Sequence, residues 1–124
     1  MDLRKNRELG AIISRLIGKE NLSKSESYES FRMILSNEVS DMQQGAFLAS
    51  LTAKGETAEE VAGGWQAVYE MDTNKVDLGD RTIVDNCGTG MDSFKTFNIS
   101  TAASVVAAAG GVTVARHGAR AITS

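Results

Sequence analysis

Apolar residues recur at helical spacing through residues 1–75, in four runs that are separated by short polar links. The first run predicts a helix that ends at Gly18, because glycine is a common C-cap. Its apolar members, all near the spacing of one helix face, are Leu3, Leu9, Ile12, Ile13, Leu16 and Ile17.

The other three runs begin with the signature of a capping box, in which a Ser or Thr is followed three residues later by Glu or Gln. The pairs are Ser23 with Glu26, Ser40 with Gln43, and Thr57 with Glu60. Leu22 precedes the first pair as a hydrophobic staple, and Gly55 is predicted to stop the third helix. The side chains expected to face inward are Tyr28, Phe31, Ile34 and Leu35 in the second helix, and Met42, Phe47, Leu48 and Leu51 in the third.

Residues 1–75 are therefore predicted to form a small helical bundle with short connections. Short helices rarely bury all of their apolar residues internally, so Trp65 and Tyr69 are assigned either to the bundle core or to a dimer interface. Three glycines indicate close approach between helices: Gly45, Gly63 and Gly64. Three acids are expected to lie in solvent at the start of the fourth helix, where they complement its dipole: Glu56, Glu59 and Glu60.

The pattern changes from residue 76 onward. Thr82 to Val84 form a short apolar strand that runs into a glycine-containing loop, and a helix of small residues follows from about Ser100 to Ala109. Gly110 and Gly111 close that helix, and residues 112–116 form a second strand. Strand, helix and strand in this order predict a βαβ unit with parallel strands, so residues 76–124 are expected to be the start of an α/β domain.

Composition and charge argue against several classes of partner and location. The 124 residues carry a net charge of −3, which argues against nucleic acid or an anionic membrane as the main partner. No apolar run approaches the roughly 20 residues that span a bilayer. The single cysteine, Cys87, cannot form an internal disulfide, so a reducing cytoplasm is the expected location.

The loop after the first strand has the composition of a phosphate site. Gly88 and Gly90 let backbone N–H groups approach an anion, and the helix N-terminus that follows favours negative charge. An acid beside phosphate is explained if Asp92 binds a ribose hydroxyl or acts through Mg²⁺. Neither the Walker loop nor the complete dinucleotide fingerprint is present. The side chains that supply hydroxyls or positive charge are Ser93, Lys95, Thr96, Ser100, Thr101 and Arg116.

The segment "VDNCGTGMDSFKTFNISTAASVVAAAGGVTVARHGARAITS" strongly resembles the anthranilate phosphoribosyltransferase family, whose marks are a GTGGD loop, an N-[IV]-S-T helix start and a KHGNR loop. The likeness extends upstream through "LSNEVSDMQQGAFLASLTAKGETAEEVAG". It implies an N-terminal helical domain and an α/β domain, the fold shared with pyrimidine nucleoside phosphorylases. It also implies a homodimer formed through the helical domain, and transfer of phosphoribose from 5-phosphoribosyl 1-diphosphate (PRPP) to anthranilate in tryptophan biosynthesis.

The resemblance implies a role for particular residues. Those of the PRPP site are Gly88, Met91, Asp92, Thr96, Asn98, Ile99, Ser100, Thr101, Arg116 and Ser124. Ser100 would also bind Mg²⁺, which neutralises the leaving diphosphate. The residues implied at the acceptor site are Gly88, His117 and Ala119.

Three positions depart from the family pattern. Met91 replaces the second loop glycine, Arg116 stands where Lys is usual, and Ala119 replaces an Asn associated with anthranilate binding. The donor site therefore looks intact, whereas the acceptor site looks altered. Two alternatives stay open: a paralogue that uses or phosphorolyses another ring compound, and a non-catalytic member that binds a phosphorylated ligand or nucleic acid.

Two reactive side chains have a simpler interpretation beside the catalytic one. His117 is a conceivable general base, but acceptor contact or loop packing is the favoured interpretation. Cys87 is interpreted as a small buried hydrophobe. Because the chain ends within the substrate loop after two strands, we expect it to be the N-terminal part of a longer enzyme and inactive alone.

Overall fold

The computed structural model describes residues 3–88 and 97–116. The chain divides into two compact units, Met1–Lys75 and Val76–Ser124. The first unit contains four helices: α1 (Leu3–Ile17), α2 (Lys24–Leu35), α3 (Asp41–Lys54) and α4 (Ala58–Met71). The described part of the second contains α5 (Ile99–Ala109).

The core cluster of the first unit lies among α1, α2, α3 and the links on either side of α2; α2 also packs on α4, and α1 packs on α3. At its centre the rings of Phe31 and Phe47 meet edge to face, with centroids 5.5 Å apart. This arrangement suits the charge distribution of aromatic rings. The buried apolar residues of the cluster are Leu9, Leu16, Leu22, Met33, Val39, Phe47 and Leu51.

The buried face of α2 differs from the predicted one. Ser27, Ser30 and Met33 are buried, whereas the predicted stripe of Tyr28, Phe31, Ile34 and Leu35 is only partly buried. The reason lies in α4, because a Cβ added at Gly63 would come within 2.9 Å of the Tyr28 N and within 2.8 Å of Ser27 Cβ. The predicted close approach is therefore confirmed at Gly63, which faces the small side chain of Ser27, and at Gly64, which faces the Phe31 ring; it is wrong at Gly45, where an added Cβ would have no described atom within 4 Å.

Two of the three predicted capping boxes are confirmed. The hydroxyls of Ser23 and Thr57 each accept a hydrogen bond from the N–H three residues later, and the Glu at that position accepts from the cap N–H. The box at Ser40 is wrong, since its side chain makes no cap bond. The Ser40 N–H, which Gln43 would have to bind, instead donates to Asn6 Oδ1 at 3.1 Å.

Glu60 is buried, so its predicted exposure is wrong. Its side chain is 0% exposed and forms an ion pair with Lys54, whose side chain is 3% exposed, at 2.9 Å. The carboxylate also accepts the N–H of Leu22 and that of Thr57, each at 2.8 Å. Burial by itself would raise the pKa of Glu60, but these donors outweigh burial and lower the pKa to about 2. Glu60 thus joins α4 to the end of α3 and the start of α2.

Several apolar side chains expected inside the bundle lie in solvent. Met42 is 84% exposed because it lies on the face of α3 opposite Phe47 and Leu51, and Leu48, at the margin of the buried face, is 45% exposed. Trp65 is 63% exposed and stacks on Tyr69, with ring centroids 5.1 Å apart. Of the two assignments made for Trp65 and Tyr69, the bundle core is therefore wrong.

The described part of the second unit contains one parallel β-bridge, between Val84 and Val114. The parallel direction agrees with the predicted βαβ order, but the described strands are shorter than predicted, being reduced to the bridged residues. Helix α5 starts one residue earlier than predicted, and Gly111 follows it with a positive φ of 89°. Across the described residues, no helix combines the length and apolar character needed to cross a membrane.

Candidate functional site

The structure describes about half of the residues implied for the site: Gly88, Asn98, Ile99, Ser100, Thr101 and Arg116. Gly88 and Arg116 follow the two bridged residues, Val84 and Val114, and the other four form the N-cap and first turn of α5. The other implied residues lie outside the described ranges: Met91, Asp92, Thr96, His117, Ala119 and Ser124.

The parallel bridge brings the two loops to one edge. The Val84 N–H donates to the Thr113 carbonyl at 3.0 Å, and the Ala115 N–H donates to the Val84 carbonyl at 3.1 Å. Because the two segments run in the same direction, residues 85–88 and Arg116 both follow the bridge at its carboxyl end. In open α/β sheets this is the end at which ligands bind.

The first turn of α5 begins with a side-chain cap. Asn98 Oδ1 accepts a hydrogen bond from the Thr101 N–H at 3.1 Å. The aligned peptide dipoles give this end of the helix a partial positive charge. The predicted N-I-S-T helix start is therefore a true helix N-terminus, which is a common binding site for anions.

Arg116 adds a full positive charge at the same place. Its Nη1 donates to the Thr101 hydroxyl, and its Nε atom is buried without a hydrogen-bond partner among the described residues. A guanidinium beside a helix N-terminus meets like charge, and a buried donor without an acceptor costs free energy. An oxyanion between Arg116 and α5 would relieve both costs.

Gly88 lies beside the Ser100 side chain. Among the described residues, a Cβ added at Gly88 would have Ser100 Oγ as its only neighbour within 4 Å, at 3.8 Å. Gly88 is also absent from the described glycines with positive φ, which are Gly55, Gly79 and Gly111. Neither backbone conformation nor packing of the described residues therefore demands a glycine at 88, and its missing side chain leaves open space next to a hydroxyl.

Asn86 is a polar contact of this region that sequence reasoning did not identify. Its Nδ2 donates to the Ser100 carbonyl at 3.0 Å, and its Oδ1 accepts from the Ser104 hydroxyl at 2.9 Å. The single hydrogen of the Ser104 hydroxyl is shared between Asn86 Oδ1 and the Ser100 carbonyl, which lies 2.8 Å from Ser104 Oγ. The sequence signal was an amide between a strand and a glycine, which by itself is typical of many turns.

The described residues supply oxygen ligands but no complete metal centre. Ser100 carries the type of oxygen that Mg²⁺ prefers. Within residues 3–88 and 97–116, no group of three or more His, Cys, Asp or Glu side chains could hold a metal ion. Cys87 is partly exposed rather than buried, and its N–H donates to Asp85 Oδ1 at 2.8 Å, so its interpretation as a buried hydrophobe is wrong.

Two models of a glycosyl transferase family match the chain. The model of the helical bundle domain matches residues 11–71, and the model of the a/b domain matches residues 80–124. A crystal structure of anthranilate phosphoribosyltransferase from Thermus thermophilus superposes with a TM-score of 0.75 and 37% sequence identity. That superposition covers 89% of this chain and 33% of the crystallised one.

Curated relatives carry the same name. Anthranilate phosphoribosyltransferase of Methanothermobacter thermautotrophicus is 44% identical over 112 residues, which are 90% of this chain and 32% of the relative. The enzyme of Methylococcus capsulatus is 45% identical over 116 residues, covering 94% of this chain and 34% of the relative. The chain thus spans about a third of the length of the curated relatives it matches. It belongs to the anthranilate phosphoribosyltransferase family of glycosyl transferases.

Proposed function

We propose that this chain forms part of an enzyme that transfers a phosphoribosyl group from PRPP to anthranilate. The observation that carries the proposal is the Arg116 guanidinium beside the α5 N-terminus, with a buried Nε that has no partner among the described residues. Phosphate oxygens are the ligands that such an arrangement accepts.

The chemistry explains why these groups are useful. As the bond between the ribose carbon and the diphosphate breaks, negative charge grows on the leaving group. Donors that are already oriented toward that charge lower the barrier. Arg116, Thr101 and the first turn of α5 would hold the phosphates, and Gly88 leaves them space.

Mg²⁺ is the proposed cofactor, with Ser100 as one of its ligands. The ion would neutralise charge on the diphosphate when it is bound. The Ser100 hydroxyl borders the open space at Gly88, which supports this assignment. Asp92 is proposed as the acid of the same site, on the family resemblance alone.

The proposal is tested by joining residues 1–124 to the remaining part of the Thermus thermophilus relative. We expect this chimera to consume anthranilate, followed by its fluorescence, only when PRPP and Mg²⁺ are present. Ser100→Ala and Arg116→Met should lower the rate by about ten- to a thousandfold. A folded chimera that is active but insensitive to both substitutions would refute the assignment of the site.

The second candidate is a paralogue with another ring acceptor, which the departures at Met91 and Ala119 favour. The same chimera would be supplied with a panel of aromatic amines and bases. If anthranilate is the poorest acceptor, Met91→Gly combined with Ala119→Asn should improve its use about tenfold, the effect of roughly 1.4 kcal/mol. Efficient use of anthranilate by the unaltered sequence would exclude this candidate.

The partner we propose is a second copy of the chain, bound through the helical unit in the cytoplasm. The exposed stack of Trp65 and Tyr69 supports this, since large aromatic side chains are enriched at interfaces. Sedimentation equilibrium should give a dimer for the wild type and a monomer for Trp65→Lys. Val76→Lys, at a residue that is 73% exposed, is the control and should leave the dimer unchanged.

A further inference from the structure

We infer that Asn86 is a positioning residue: its amide fastens the loop that ends at Gly88 to the first turn of α5. The inference rests on the proposed function, because the position it sets is that of Gly88 beside the Ser100 hydroxyl. Both Gly88 and Ser100 belong to the proposed PRPP site, whereas Asn86 itself touches only protein groups among the described contacts.

The amide uses both of its ends. Nδ2 donates to the Ser100 carbonyl at 3.0 Å, which joins the loop to the helix. Oδ1 accepts the Ser104 hydroxyl at 2.9 Å, and this bond holds the amide in the orientation that places Nδ2 toward Ser100. Asn86 is partly buried, so water competes only partly for these bonds.

The loop has a second constraint on the other side of Asn86. Asp85 Oδ1 accepts the Cys87 N–H at 2.8 Å, a turn closed by the side chain that precedes Asn86. Asp85 thus shapes the turn within the loop, while Asn86 connects that turn to α5. Without the connection, the loop would open more often and lose its distance to Ser100.

The two bonds of Asn86 have different consequences. Both bonds link the loop to α5, but the bond to Ser100 reaches its first turn beside the proposed site, whereas the bond to Ser104 reaches the helix one turn further on and also orients the amide. Asn86→Leu removes both at similar volume. Ser104→Ala leaves the donor to Ser100 in place, so it should affect the site less than Asn86→Leu does.

The test uses the 124-residue chain with Mg²⁺ and PRPP as the probe, by isothermal titration. Asn86→Leu should weaken binding about tenfold, and Ser104→Ala about threefold or less; tenfold corresponds to roughly 1.4 kcal/mol, the upper range for one hydrogen bond. The matched control is Asn74→Leu, at an exposed asparagine of the other unit, which should bind as the wild type does.

A second measurement separates positioning from general stability. Amide hydrogen exchange without ligand should accelerate about tenfold at residues 85–88 in Asn86→Leu, by the same conversion, while the middle of α5 keeps its protection. A merely stabilising side chain would instead raise exchange throughout α5.

The outcomes are distinguishable. Binding of PRPP by the wild type with equal affinity in Asn86→Leu would overturn the inference and leave the proposed function standing. Failure of the wild type to bind PRPP would count against the proposed function, and hydrogen exchange would then decide the inference. Unchanged exchange at residues 85–88 in Asn86→Leu would overturn the inference whatever the ligand does.

Discussion

Replacing Glu60 by Gln should destabilise the helical unit more than any conservative change on its surface. The substitution keeps the shape of the side chain but removes a charge that is 0% exposed. It leaves the Lys54 ammonium, 3% exposed and 2.9 Å away, without its counter-ion. It also turns an amide NH₂ toward the N–H group of Leu22 or of Thr57, so that two donors face each other where the carboxylate oxygen had accepted a hydrogen bond.

The magnitude follows from the pKa of Glu60, which the fold lowers from 4.5 to about 2. At about 1.4 kcal/mol per unit, the fold favours the charged carboxylate by about 3 kcal/mol. Removing one partner of a buried ion pair costs about 3–5 kcal/mol in other proteins, which agrees. We therefore expect Glu60→Gln to lower the free energy of unfolding by about 3 kcal/mol.

Urea unfolding at neutral pH measures this difference, followed by the fluorescence of Trp65, the single tryptophan, on α4. The matched control is Glu59→Gln, at the exposed neighbour in the same helical turn, which should change stability by about 0.5 kcal/mol or less. Adding Lys54→Met to Glu60→Gln should cost less than the sum of the single changes, because no unpaired buried charge is left. Equal losses in Glu60→Gln and Glu59→Gln would refute the reasoning.

Three further measurements address the same unit. Because the fold lowers the pKa of Glu60, the contribution of this carboxylate to stability is complete above pH 4.5 and is lost as the pH falls toward 2. As the pH is lowered, the free energy of unfolding should fall by about 3 kcal/mol more in the wild type than in Glu60→Gln. Parallel pH profiles for the two proteins would contradict this. Gly63→Ala should destabilise the unit by about 1–3 kcal/mol, since the added Cβ would meet the Lys24 carbonyl and Ser27. Gly45→Ala should stabilise α3 by up to about 1 kcal/mol, because an added Cβ there would meet no described atom within 4 Å. Thermal unfolding that ranks the two variants the other way would refute the packing argument. Ser23→Ala should cost about 1 kcal/mol in urea unfolding and Ser40→Ala much less, because only Ser23 caps its helix; equal costs would contradict the caps.

Short-range sequence patterns were sufficient to predict where the helices begin and end. Helix spacing, the Ser23 and Thr57 caps and the glycine stops at Gly55 and Gly111 depend on groups within a few residues of each other, so the sequence alone determines them. The N-terminus of α5 at Asn98 and the parallel direction of the bridge are of the same kind. Family membership also came from contiguous motifs.

Contacts between distant segments could not be derived in this way. The burial of Glu60 depends on Lys54 and on the Leu22 N–H, 38 residues away in sequence, and the capping box that singles out Glu60 in "GETAEE" does not indicate burial. The failed cap at Ser40 depends on Asn6, and the role of Asn86 depends on α5. Sequence by itself determined which elements form and which chemistry the loop carries. The tertiary structure decided which polar groups are buried and paired, because hydrogen bonds between segments are selected by packing that no local pattern records.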